Sequence, residues 1–150
     1  MGLFEQVSAD IMAAMKARDK VKLDALRNVK KVFLEARTAP ENKGELTDEA
    51  ALKILQKLAK QGKDTAKVYE ANGRAELAQE ELAQVAVIES YLPKQLSDDE
   101  IRAVVSEIIV QTGAQSIKEM GKVIGLAQKQ LAGRAEGAKI AAIAKSLLAN

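Results

Sequence analysis

An all-α fold is what this sequence predicts, with an N-terminal helical domain of about four helices over residues 1–92 and a small three-helix tail over residues 93–150. Three observations lead there. Apolar residues recur at helical spacing along most of the chain. Aromatics are only 3% of the residues while hydrophobics are 47%. The core must then be aliphatic, which suits helices better than sandwiches or barrels. Finally, Tyr91-Leu92-Pro93-Lys94-Gln95-Leu96 reads as a joint. Pro93 pushes Leu92 out of the α region. Ser97-Asp98-Asp99-Glu100 then forms a capping box, with Leu96 and Ile101 placed as a hydrophobic staple.

The elements follow in order. Leu3, Val7, Ile11 and Met15 form one stripe and predict a first helix to about Arg18. A second helix, from about Lys20 to Arg37, buries Ala25, Leu26, Val29, Val32 and Phe33. Arg18-Asp19-Lys20 between them is a tight turn or a kink. Thr38 to Leu46 contains Pro40 and Gly44 and reads as a loop. Thr47 caps a third helix with the stripe Leu52, Leu55, Leu58, which Gly62 is expected to interrupt and Asn72-Gly73 to end. A fourth, from about Arg74 to Tyr91, turns Leu77, Leu82, Val85 and Ile88 inward. In the tail, Ile101, Val104, Val105, Ile108 and Ile109 keep the helical pattern without error, and Thr112-Gly113 stops it. Ser116-Ile117-Lys118-Glu119 reads as a second capping box, leading to Met120, Val123, Ile124, Ala127 and Leu131. After Gly133, a last helix from about Glu136 to Leu148 offers Ile140, Ile143, Ala144 and Leu147.

Composition excludes whole classes of chemistry. The chain has no Cys and no His. That removes disulfides, thiolate metal sites and Ser-His-Asp or Cys-His catalysis, and makes a zinc site improbable. No apolar run reaches the roughly 18–20 residues that span a bilayer. Met1-Gly2-Leu3-Phe4-Glu5 lacks the pattern of a signal peptide, so a cytoplasmic location without membrane association is expected. The net charge of +2 is too small to imply nucleic acid by itself. Locally the balance is sharper: residues 16–37 hold eight Lys/Arg against three Asp/Glu.

The carboxylates of Asp98, Asp99 and Glu100 fit the first turn of a helix, where negative charge is stabilising. No catalytic residue, metal or cofactor is assigned. Gly121 and Gly125 lie one turn apart and are read as a close helix–helix contact, with approach of a ligand as the alternative. Gly133-Arg134-Ala135-Glu136-Gly137 leads into a helix N-terminus that suits a phosphate, with Lys129 and Lys139 near in sequence. A solvated loop is the plain alternative. Lys20, Arg27 and Lys31 share the outer face of the second helix, a second basic surface or simply its wet side. With only Phe4, Phe33, Tyr69 and Tyr91 as aromatics, recognition of single strands by stacking is disfavoured. Any nucleic acid would be held by phosphate and shape.

Several marks then align with a known pattern. They are Asp19-Lys20 with Leu26-Arg27-x-x-Lys30, and Lys60-Gln61-x-Lys63-Asp64 with Gly73-Arg74-x-x-Leu77. They continue with Tyr91-Leu92-Pro93-Lys94-Gln95-Leu96, and end with Met120-Gly121-Lys122-Val123-x-Gly125 leading to Gly133-Arg134-Ala135. In this order they resemble the YqeY family, related to the tail of the B subunit of the glutamine-dependent tRNA amidotransferase. The resemblance covers essentially the whole chain. It implies an all-helical protein whose tail associates with tRNA or another structured RNA through Lys122, Lys129, Gly133, Arg134 and Lys139. Lys20, Arg27 and Lys31 would form a secondary RNA surface. Alternatives are an adaptor docking on an amidotransferase or an aminoacyl-tRNA synthetase, and a carbon–nitrogen ligase using glutamine as amido donor. The catalytic parts of the amidotransferase have no counterpart here. Ala132 stands where a lysine is common in the family, and Gly62 where a basic residue is.

Overall fold

A computed structural model describes residues 2–149. The described residues form seven α-helices and no strand. They gather into two compact units, divided between Leu92 and Pro93. Each unit has its own core of buried aliphatic residues.

The first unit holds α1 (Leu3–Ala17), α2 (Lys20–Thr38), α3 (Asp48–Ala71) and α4 (Ala75–Glu89). A tight turn separates α1 from α2. Arg18 takes a left-handed conformation at φ 55°, and Asp19 caps α2 by accepting from the Lys22 N–H at 3.1 Å. Phe33, Leu26, Leu55, Val7 and Val29 fill the centre and are fully buried. Thr47 caps α3, accepting from the Ala50 N–H at 3.1 Å. The Leu3 N–H donates to Asp48, tying the start of α1 to the start of α3. Within the loop, Pro40–Asn42 forms a single 3₁₀ turn.

Three expectations fail here for geometric reasons. Met15 is 50% exposed, and Ala14 is buried in its stead. A four-residue step overshoots the helical turn by about 40°, so a strict i+4 stripe walks off the core after three steps. Leu82 is also exposed, because Ala78, Val85 and Ile88 already occupy the inward arc of α4. Gly62 does not interrupt α3. It is buried in mid-helix, where an added Cβ would collide with Val85 Cγ2. Ala51, Ala59, Gly62 and Ala66 make one side of α3 a small-residue seam, and this lets α4 lie close.

The second unit holds α5 (Asp98–Thr112), α6 (Met120–Gln130) and α7 (Gly137–Leu148). Ile101, Val105, Val123, Leu131 and Ile140 form its centre. The Ser97 capping box is complete: the Ser97 hydroxyl accepts from the Glu100 N–H, and Glu100 accepts from the Ser97 N–H. The expected second box is not made. Ile117–Glu119 is a 3₁₀ turn, the Ser116 hydroxyl caps nothing, and Glu119 accepts instead from the Gln115 N–H.

Candidate functional site

The centre of interest in the second unit is the turn from Leu131 to Glu136. Leu131 and Ala135 are buried and pin its two ends. Between them the Arg134 N–H donates to the Leu131 carbonyl at 2.9 Å. Gly133 sits at φ 78°, where a side chain would be strained. Two bonds from the segment after Pro93 fix the turn. Gln95 Nε2 donates to the Gly133 carbonyl at 2.7 Å, and the Leu96 N–H donates to the Arg134 carbonyl at 2.9 Å. The joint and the turn, far apart in sequence, are therefore one clasp. Gly133 is buried within it, so its part is to shape the loop, while the Arg134 side chain is exposed.

The charge around the turn is mixed. Lys139, in the first turn of α7, is paired with Asp98 at 3.2 Å. Glu100 is held below the usual carboxylate range, first by hydrogen bonds from the Ser97 backbone and hydroxyl, then by the positive charges of Lys94 and Arg134. Asp99 pairs with Arg102. The acidic first turn of α5 thus supplies counter-charges to the predicted cations. Sequence reasoning does not single out Lys94 and Gln95 as part of this site, since they fall only within the Tyr91–Leu96 mark, and it reads Asp98 only as a favourable charge in the first turn of its helix.

Lys122 and Lys129 lie elsewhere, on the solvent face of α6, and form no ion pair among the described residues. Gly121, Gly125, Lys129 and Lys122 share about 100° of that face. Close packing at the two glycines, the reading favoured from sequence, is overturned: a Cβ at either would have nothing within 4 Å. The close helix contact is made by Gly62 instead. Each exposed helical glycine costs about 1 kcal/mol relative to alanine and here receives no packing in return.

In the first unit, Lys20, Arg27 and Lys31 are exposed on α2. Arg27 and Lys31 line an open groove with Ile11, Lys30, Leu34 and Glu35. Lys20 is not among its lining residues. Phe4 is not a stacking platform for bases: Arg37 lies 4.3 Å and Lys30 6.0 Å from its ring centroid. Among the described residues no acidic group of three or more side chains is placed to hold a metal ion. No helix among them is long and apolar enough to cross a membrane.

No match to a curated protein is found. A family model described as "Yqey-like protein" matches residues 4–148, which take in both units, the clasp and the glycine face of α6, and the chain therefore belongs to the YqeY family.

Proposed function

We propose that this protein is a non-catalytic accessory module that holds structured RNA, tRNA foremost, through the open face of α6 and the adjoining Arg134 turn. The observation that carries this reading is the bare pair Gly121 and Gly125 beside Lys122 and Lys129. Two glycines without an internal packing role leave the helix backbone open to a close ligand. Two cations without ion-pair partners among the described residues flank that opening, as phosphate contact requires. The resemblance read from the sequence, to a family related to the amidotransferase tail, points the same way. Arg134 adds a charge, tempered by Glu100, and Lys139 must leave Asp98 to contribute. Binding is then modest in strength and steep in salt.

The test is a titration of folded tRNA at several salt concentrations. Gly121→Gln and Gly125→Gln should each raise unfolding stability by about 0.5 kcal/mol, since glutamine is the better helix former. Both should weaken RNA binding, because a side chain now covers the backbone. Lys122→Ala and Lys129→Ala should each lower the salt slope by about one unit. Unchanged affinity in all four variants, or no binding by the parent at low salt, rejects the proposal.

A further inference from the structure

The first unit carries a concavity of a different character. The open groove between α1 and α2 has a volume of about 460 Å³ and is lined by Ile11, Arg27, Lys30, Lys31, Leu34 and Glu35. Leu34, 36% exposed, supplies most of its open aliphatic surface, and the edge of the buried core residue Ile11, 9% exposed, closes its floor. Three cations stand around them against the single carboxylate of Glu35. Arg27, Lys30 and Lys31 form no ion pair among the described residues. Further apolar surface is open on α1, where Met12 and Met15 are 59% and 50% exposed. Met15 follows Ile11 by one helical turn.

A surface made for phosphate needs cations and hydrogen-bond donors but no apolar floor. The combination found here matches the chemistry of an amphipathic helix with acidic flanks. On α2 the lining residues run from Arg27 to Glu35, about 12 Å of helix. That is the span of two turns, the distance over which a docked helix presents apolar anchors at i, i+3 or i+4, and i+7.

We infer that this groove docks an acidic amphipathic helix of a partner protein. Its aliphatic anchors rest on Leu34 above the edge of Ile11, and its flanking Asp and Glu face Arg27, Lys30 and Lys31. The charge pairing sets orientation and speeds encounter, while the apolar floor supplies the contact. The inference concerns a different unit from the proposed RNA face and stands or falls separately from it.

The probe is a fluorescent synthetic peptide of about sixteen residues with leucines at the anchor spacing and glutamates on the remaining faces. It is titrated against the full chain by anisotropy. A scrambled peptide of the same composition and a lysine-for-glutamate version serve as controls. The acidic amphipathic peptide should bind saturably, and both controls should bind about tenfold more weakly or worse. The doubly substituted Arg27→Glu, Lys31→Glu chain and the Leu34→Asp chain should each lose about tenfold. All these positions are at the surface, so circular dichroism should show unchanged helix content. Folded tRNA should not displace the peptide. Equal binding of the scrambled peptide reduces the groove to a nonspecific cationic patch and overturns the inference. Complete displacement by tRNA makes it an RNA surface and overturns it as well. So does the absence of saturable binding.

Discussion

Gly62 shows how much a missing side chain can hold together. Its hydrogen lies against Val85, a β-branched residue with little rotamer freedom and 3% exposure. Gly62→Ala should gain helix propensity of about 1 kcal/mol and lose more to overpacking, for a net loss of about 1–2 kcal/mol. Urea denaturation measures this, and adding Val85→Ala should recover part of the loss non-additively. At Gly121 and Gly125 the sign is reversed, because nothing is there to collide with. The sequence alone could not tell these glycines apart: both kinds sit in helical patterns, and only their neighbours differ. Tyr91 is a second informative residue. Its hydroxyl donates to Asp10 Oδ2, tying the segment after α4 to α1. Burial, then the hydrogen bond to Asp10 and its charge, push the phenol well above its ordinary value. The raised value means that this contribution is complete below pH 10 and is lost only as pH climbs beyond it. Tyr91→Phe should cost about 1 kcal/mol at neutral pH and abolish that alkaline loss, read from denaturation midpoints across pH.

At the scale of elements, the helices with a full polar signal formed where the residues indicated. Thr47 and Ser97 cap as expected, and Asn72-Gly73 and Thr112-Gly113 stop their helices. Ser116 carried the same written pattern as Ser97 and made a different structure. A capping box requires the chain to enter an α-helix, and here it first makes a 3₁₀ turn. Ser97→Ala should therefore cost about 1 kcal/mol and Ser116→Ala only a few tenths, a difference visible in thermal melts. The Glu100 arm of the box adds a pH dependence. Its depressed value gives a contribution present above about pH 4.5 and lost as the pH falls through the lowered one. A melt series on Glu100→Gln should lack this acid-side decline. The candidate site was less legible than the helices. Lys122, Lys129 and Arg134 were identifiable as exposed cations, but their counter-charges were not. Asp98 meets Lys139 across the start of two helices, a pairing that no periodicity along a single helix reveals. The α1–α2 groove was equally hidden, since it takes Ile11 from one helix and five residues from the next.

For the molecule as a whole, the two cores share no residue. A small core change in one unit should then leave the other unmoved. Ile140→Val, at a position 1% exposed, should cost about 1 kcal/mol. Native-state hydrogen exchange should show that loss in the amides of α5, α6 and α7 while protection in α3 and α4 stays constant. A uniform fall across all seven helices would mean that the chain unfolds as one cooperative body.

The clasp around Gly133 has a practical consequence for anyone who transplants the second unit. Helix assignment alone would start the cut at Asp98, and the capping box would move it back to Ser97. Either cut discards Gln95 and Leu96, and with them the donors that close on the Gly133 and Arg134 carbonyls. A piece cut to keep both bonds starts at Pro93, because the residues before its first helix are the latch of its last loop.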